Sequence, residues 1–316
     1  MLSSKFIHAF TRQIYHTNLI TSATFNVIKK HNSTHTKNDL VLVDVNDKTG
    51  FSIVTLNRPP VNSLNLELLS AFSSVLDDLH KNNSRGMILT SSSSTVFSAG
   101  LDINELYKPD MDRVRKFWTS LQDCWIKLYG SSFPTAAAIN GHAPAGGCLF
   151  AMCCEYRVML PKYTIGLNET QLGIVAPTWF MATMKNTIPL RQAELALTLG
   201  KMFKTDDALK LGLIDEIAEN KEDAIHKCEI FLKKYQKIPQ TARALTKQSY
   251  RKNDIMELEN NREADLQLFF LAISDPRVQS SLGKYVAFLK LKSRMKPILE
   301  AVKFLKGIFK SKKKKN

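Results

Sequence analysis

The sequence lacks long apolar runs, paired cysteines and the common phosphate-binding glycine motifs. No stretch approaches the roughly 18 apolar residues of a membrane-spanning helix. The five cysteines include no CxxC pair and are odd in number, which favours buried thiols in a reducing compartment over a metal site. Neither GxGxxG nor GxxxxGK[ST] occurs, so a dinucleotide fingerprint and a P-loop have no support.

Acidic residues are scarce at both ends of the chain, and the net charge of +15 belongs to those ends. Residues 1–38 carry five basic side chains and no acid, and residues 284–316 carry twelve basic side chains against one acid. The intervening body sums to a charge of −1. The full chain has 44% apolar residues, and its nearly neutral body is long enough to bury a large core.

Residues 1–38 are typical of a mitochondrial transit peptide because cations and Ser or Thr are scattered among apolar residues. No compact apolar segment precedes a small-residue cleavage site, which argues against a secretory signal. The alternative is a disordered basic arm. We therefore predict localisation in the mitochondrial matrix and a fold that begins near Leu40.

The body alternates strand patterns with helix patterns, which predicts an α/β fold. Runs at 40–47 and 51–57 predict a hairpin, and Asn65 or Asn62 can cap a following helix. Its predicted apolar face contains Leu68, Leu69, Phe72, Leu76 and Leu79. We expect buried strands at 86–91 and 135–141, and mostly helices after residue 177, including 239–252 and 255–273. The predicted divisions are an α/β core at 39–220, a helical oligomerisation region at 221–283 and a basic tail at 284–316.

Three glycine-rich turns follow strands, at 98–102, 141–147 and 166–173. Each one alone is more often structural than functional. In "PAGGCLFAM", however, small residues open a helix, and the amide groups of its first turn can face a developing negative charge. A second amide from the turn at Gly100 and Leu101 would complete an oxyanion hole if the loops converge.

Four ordered stretches, "LNRPPVNSLN", "FSAGLDI", "AAINGHAPAGGC" and "GLNETQLGI", resemble the crotonase (enoyl-CoA hydratase/isomerase) superfamily over residues 40–285. The resemblance implies a spiral of ββα units with a helical C-terminal region, an acyl-CoA substrate and a homotrimer. It implies no metal and no cofactor beyond the coenzyme A of the substrate itself.

The resemblance also implies site residues. The oxyanion donors would be the backbone N–H groups of Leu101 and Gly146, and Glu169 would be the catalytic carboxylate. The implied substrate-binding residues are Ala99, Gly100, Leu101, Asp102, Ile103, Gly146 and Asn168, with Asp102 expected to be structural as a side chain. The alternative for Glu169 is a carboxylate without a catalytic role that faces solvent from a loop.

Hydratases of this superfamily carry two glutamates, and Leu149 stands where the first would be. Water addition needs one group to activate water and another to handle the proton, whereas a double-bond shift needs a single base. We therefore predict an isomerase that moves the double bond of a cis or trans 3-enoyl-CoA to trans-2-enoyl-CoA in fatty-acid β-oxidation. Leu149 and Trp179 are expected to raise the pKa of Glu169 by desolvation. The disfavoured alternative within the enzyme class is an enoyl-CoA hydratase.

The basic tail at 284–316 contains an amphipathic, lysine-rich stretch after Pro297. Such a helix can lie on an anionic membrane, or it can pack on the body or on a neighbouring subunit. A second functional class is therefore a crotonase-like protein that binds RNA or membrane, with weak or lost catalysis. Nucleic acid is the less expected partner because the tail lacks interleaved aromatic residues for base stacking.

Overall fold

The computed structural model describes residues 40–291 and Met295. The predicted transit peptide lies outside these residues, as does most of the basic tail, and both stay predictions. Nine strands lie in the described part: β1 Val41–Val45, β2 Phe51–Leu56, β3 Gly86–Ser91, β4 Thr135–Ile139, β5 Ala143–Pro144, β6 Tyr156–Met159, β7 Thr164–Gly166, β8 Phe203–Lys204 and β9 Glu216–Ile217.

The helices of the described part surround these strands. They are α1 Leu66–Lys81, α2 Ile103–Leu106, α3 Met111–Tyr129, α4 Gly146–Cys153, a 3₁₀ helix Glu169–Leu172, α5 Thr178–Lys185, α6 Leu190–Leu199, α7 Thr205–Leu211, α8 Lys221–Lys233, α9 Gln240–Ser274 and α10 over 276–291. Among the described residues, no helix combines the length and apolarity needed to cross a bilayer.

The strands form two sheets that the chain visits in turn. The larger has the order β1-β2-β3-β4-β6-β9, and the smaller has the order β5-β7-β8. After β4 the chain enters β5 and then α4, and after β6 it enters β7 and then the 3₁₀ helix. This repeat of large-sheet strand, small-sheet strand and helix is the predicted ββα spiral. Because β3, β4 and β6 are parallel, their carboxyl ends lie at one edge of the large sheet. The first glycine-rich turn comes after β3 and the second after β4, whereas the third begins at the end of β7, which the chain enters after β6.

Helix α1 forms where its apolar spacing predicts it, and its five predicted core residues are all buried. The cap is Asn65, whose side chain accepts a hydrogen bond of 3.1 Å from the Leu68 amide. Asn62 has another role: its φ is +49°, and its side-chain amide donates to Ser91 Oγ over 2.6 Å. It ties the turn before α1 to the end of β3.

The predicted division after residue 220 does not separate two packing units. Helix α8 lies on the back of the large sheet, where Cys228 and Leu232 share a core with Phe51, Ile88 and Val158. The helical region therefore begins inside the α/β core.

The predicted helices 239–252 and 255–273 form one helix, α9, and its break lies at Asn261 (φ −121°, ψ 18°) instead of at 253–254. The Asn261 side-chain amide donates to the Glu257 carbonyl over 2.8 Å. Such a local bond competes with regular helix geometry.

Candidate active site

The turns at 98–102 and 141–147 touch each other. Gly100 has φ +81°, and a Cβ on it would lie 2.8 Å from Ala145 Cβ and 3.2 Å from the Gly146 amide nitrogen. Only glycine combines this backbone conformation with so close an approach. The convergence that an oxyanion hole requires is therefore present.

The backbone around Leu101 leaves its amide free for another partner. The Leu64 amide donates to the Gly100 carbonyl over 2.8 Å, and the Asp102 amide donates to the Leu64 carbonyl over 2.9 Å. These bonds on either side of Leu101 form an isolated bridge with Leu64 and turn the Leu101 N–H away from it. Within residues 40–291 the Leu101 amide has no acceptor, and the Gly146 amide has none because it opens helix α4.

Ala145 links the second turn to the third. Its φ of +49° and ψ of −121° are rare for a residue with a Cβ, and its amide donates to the Gly166 carbonyl over 2.8 Å. Such strained positions cluster at functional sites, where the surrounding fold holds them. All three glycine-rich turns consequently meet at the start of α4.

A cavity of about 110 Å³ opens beside these turns, and we call it the glutamate cavity. Of the predicted residues, Ala99, Leu101, Ile103, Asn168 and Glu169 line it. The remaining three, Gly100, Asp102 and Gly146, are not among the lining residues and flank those that are. The rest of the lining is almost wholly apolar: Leu106, Trp118, Pro144, Ala145, Leu172, Ile174, Val175, Pro177, Phe180, Phe269 and Tyr285.

Glu169 is a buried acid rather than a solvent-facing one. It is 7% exposed, and within the described residues neither carboxylate oxygen has a hydrogen-bond partner. Burial raises the pKa of Glu169 from 4.5 to about 7, opposed in part by its own backbone amide. Asn168 Oδ1 beside it is likewise buried without a partner in that region. An unpartnered buried carboxylate in a cavity is poised to exchange a proton with a bound molecule.

The 3₁₀ helix that carries Glu169 is anchored to α6. Thr170 Oγ1 donates to the Leu197 carbonyl over 3.0 Å, and Gln171 Nε2 donates to the Gly200 carbonyl over 2.8 Å. The contribution of Leu149 and Trp179 to the desolvation of Glu169 stays a prediction. Leu149 and Trp179 are buried but do not line the glutamate cavity, whose apolar walls come from other side chains such as Phe180.

The Asp102 side chain is held by contacts within the fold. It forms an ion pair with Arg58 at 2.9 Å, accepts from Ser63 Oγ over 3.1 Å and caps α2 through the Asn104 amide at 3.0 Å. These contacts fix the turn that presents Leu101. Its carboxylate is absent from the cavity lining.

His142 and the three cysteines at 148, 153 and 154 lie in structural surroundings. The Thr164 amide donates to His142 Nδ1 over 3.1 Å, so this ring holds two strands together. Cys148, Cys153 and Cys154 are fully buried, and burial raises the pKa of each thiol. No cluster of His, Cys, Asp or Glu in the described part of the chain is arranged to hold a metal ion.

Three residues of the site have no local signal in the sequence. Trp118 comes from α3, Phe269 from α9 and Tyr285 from α10, and all three line the glutamate cavity. Each belongs to a helix whose apolar face predicts only burial. Their assignment to the site requires the packing of α9 against α3, as in the bond from Trp118 to Asp265, and of α10 against the end of α2, where Gln279 donates to the Leu106 carbonyl.

Comparison with known proteins agrees with this architecture. A protein-family profile described as Enoyl-CoA hydratase/isomerase matches residues 46–293. The mitochondrial enoyl-CoA delta isomerase 1 of Mus musculus is 46% identical over 259 residues, covering 81% of this chain and 89% of that protein.

Two solved structures show the same fold. The human mitochondrial delta3-delta2-enoyl-CoA isomerase superposes with a TM-score of 0.77 at 41% identity, covering 80% of this chain and 99% of that one. An enoyl-CoA hydratase from Bacillus halodurans superposes with a TM-score of 0.70 at 25% identity, covering 78% and 99%. Hydratase and isomerase thus share this scaffold, and the chain belongs to the enoyl-CoA hydratase/isomerase family.

Proposed function

We propose that the protein is an enoyl-CoA isomerase of mitochondrial fatty-acid β-oxidation. It converts a cis or trans 3-enoyl-CoA into trans-2-enoyl-CoA. The observation that carries the proposal is a lone carboxylate: Glu169 is the one acidic side chain among the described residues that line the glutamate cavity. The isomerase names of the human and mouse relatives support the same activity.

The chemistry needs one base and one pair of donors. Glu169 removes a proton from C2, and the electrons of that C–H bond delocalise through the double bond and the thioester carbonyl as a dienolate. The amides of Leu101 and Gly146 stabilise the negative oxygen. The protonated Glu169 then delivers its proton to C4, and the double bond forms between C2 and C3. The enzyme ends the cycle in its starting protonation state.

A hydratase would need a second polar group to activate water. Leu149 occupies the position of the superfamily's other glutamate and is fully buried in the core. The described lining of the glutamate cavity offers no other carboxylate and is mostly apolar, so water is poorly held there. This composition favours proton transfer within one substrate over addition of water.

The turn from Ala99 to Ile103 and the side chain of Asn168 complete the proposed substrate site. Asn168 Oδ1, buried without a partner in the described region, can accept a hydrogen bond from the substrate. Coenzyme A enters as part of the substrate, and the proposed reaction uses no further cofactor. The mitochondrial matrix follows from this activity together with the predicted transit peptide.

The direct test is the conversion of trans-3-hexenoyl-CoA by the purified protein. We expect formation of trans-2-hexenoyl-CoA, and we expect hydration of that product to be slower by about 100-fold or more, since one general acid–base group is missing. Product analysis by mass separates the two outcomes because hydration adds one water. Fast hydration, or no isomerisation, would contradict the proposal.

We propose in addition that the protein forms a homotrimer. Several large apolar side chains of α6 and α9 are exposed in the single chain, including Leu190 (68%), Leu199 (64%) and Leu271 (71%). Exposed apolar surface of this kind marks association sites. Sedimentation equilibrium of the 35.7 kDa chain should give three times this mass. A monomer or dimer at micromolar concentration would rule the trimer out.

A further inference from the structure

The glutamate cavity has a larger neighbour across a thin wall. A second cavity of about 490 Å³ lies along the C-terminal half of α9, from Glu257 past the break at Asn261 to Ala272. Four residues line both cavities and therefore form the wall between them: Trp118, Val175, Pro177 and Phe269. We call these four residues the partition.

Two aromatic rings make up most of the partition. The rings of Trp118 and Phe269 are stacked, with centroids 3.6 Å apart and planes 12° from parallel. Both side chains are almost fully buried, at 1% and 6% exposure. Val175, in contrast, is 70% exposed and lies toward the outside. The aromatic pair is therefore the part of the wall that closes the interior.

Asp265 holds this pair in place although it does not line the glutamate cavity. Its carboxylate accepts from Trp118 Nε1 at 2.6 Å and from Trp179 Nε1 at 3.1 Å. Gln122 Nε2 adds a third bond at 2.8 Å. Hydrogen bonds to a charged acceptor are among the stronger ones, so the indole of Trp118 cannot rotate aside without losing a stable contact.

We propose that the Trp118–Phe269 pair closes the acyl end of the substrate site and sets the longest chain that the enzyme accepts, and that Asp265 is its positioning residue. This inference rests on the proposed function. With the thioester oxygen at Leu101 and Gly146 and C2 to C4 at Glu169, the rest of the acyl chain continues away from the turns into the apolar part of the cavity. A cavity of about 110 Å³ leaves little room beyond C4.

The second cavity fits the distal methylenes of a longer chain. Its wall is largely apolar, with Ala176, Met181, Ala264, Leu268 and Ala272 behind the partition. Removing an aromatic ring of the partition joins the two spaces. Each methylene that then becomes buried is worth about fourfold in binding, so the gain should rise with chain length.

The experiment measures kcat/KM for 3-enoyl-CoA substrates of six, ten and sixteen carbons in wild type, Trp118→Ala and Phe269→Ala. We expect the ratio of sixteen-carbon to six-carbon activity to rise by about tenfold or more in each variant, as two or more methylenes gain burial. General damage to the fold lowers the rates on all three substrates together and leaves this ratio unchanged. Asp265→Asn should raise the ratio in the same direction, because the Trp118 indole loses part of its charged acceptor.

Met181→Ala is the matched control because Met181 lines the second cavity and not the partition. It should leave the ratio at the wild-type value. A ratio that stays constant or falls in both partition variants overturns the inference. This outcome leaves the proposed function intact, because the wild-type protein still isomerises the six-carbon substrate. Absence of isomerisation by the wild-type protein overturns the proposed function instead, so the two failures are distinguishable.

Discussion

Glu169→Gln is expected to abolish most isomerase activity and at the same time to stabilise the fold above neutral pH. Glutamine is nearly the same shape but cannot accept a proton from C2. Loss of a general base lowers kcat/KM by about a thousandfold. The measurement is the rate of conversion of trans-3-hexenoyl-CoA, and a variant that turns over at a rate comparable to wild type would falsify the assignment of the base.

The pH dependence of the wild-type enzyme follows from the same group. Burial raises the pKa of Glu169 to about 7, and the reaction needs the ionised form. The value of kcat/KM should therefore rise with pH through about 7 and level off above it. A flat profile between about pH 5 and pH 9 would contradict a base that titrates in this range.

The stability change has a definite sign. The pKa of Glu169 rises from 4.5 in the unfolded chain to about 7 in the folded one, so the folded state binds the proton more tightly. The free energy of unfolding of the wild type must therefore fall as pH rises from 4.5 through about 7. The total loss is about 3 kcal/mol once the pH is well above the folded pKa.

The glutamine side chain of the variant does not titrate, so Glu169→Gln and wild type should be about equally stable near pH 4.5 and differ by that amount at about pH 9. Chemical denaturation at both pH values measures the difference. The control is Glu259→Gln, which changes an exposed glutamate of α9 and should keep wild-type activity. A Glu169→Gln protein less stable than wild type at the higher pH would show that the buried carboxylate has a stabilising partner.

Gly100→Ala is expected to lower kcat by about 100-fold or more, the effect of losing one oxyanion donor. The new Cβ would lie 2.8 Å from Ala145 Cβ and 3.2 Å from the Gly146 nitrogen, so one of the two turns must move. The amides of Leu101 and Gly146 then no longer converge on one oxygen. Because both donors act mainly on the dienolate, we expect kcat to fall more than KM rises.

Gly212→Ala separates this effect from backbone strain. Gly212 has φ +83° at the end of α7, close to the +81° of Gly100, but a Cβ there meets nothing within 4 Å among the described residues. Both substitutions should lower the free energy of unfolding by about 1 kcal/mol, the penalty for a side chain in this conformation. Only Gly100→Ala should lose activity. Equal values of kcat and KM for the two variants would contradict the claim that the close approach of the two turns positions the oxyanion donors.

Local pattern was sufficient for much of the fold. The five apolar residues of α1 recur at helical spacing, and all five are buried in the structure. The stretch at 86–91 predicts a buried strand, and β3 is buried throughout. Periodicity of this kind is a property of the local sequence, so it predicts the element and its buried face without knowledge of the neighbouring elements.

The boundaries inside the C-terminal half were less predictable. Helix α8 has the amphipathic pattern of any surface helix, and nothing in that pattern says that its partner is the large sheet. The break in α9 at Asn261 likewise depends on a side-chain bond to Glu257 rather than on proline or glycine. The packing partner of α8 depends on residues that are distant in sequence.

The sequence by itself was enough to identify the four ordered motifs of the family, Gly100 as the glycine at a close approach, and Glu169 as the candidate base. Only the tertiary structure decided that this acid is buried without a partner among the described residues and that Phe180 and Trp118, not Leu149 and Trp179, line its cavity. It alone brought Trp118, Asp265 and Phe269 together from two helices far apart in the chain. The physical reason is that motifs record which backbone can approach closely, whereas burial, pKa and cavity shape arise from segments that meet only when the chain has folded.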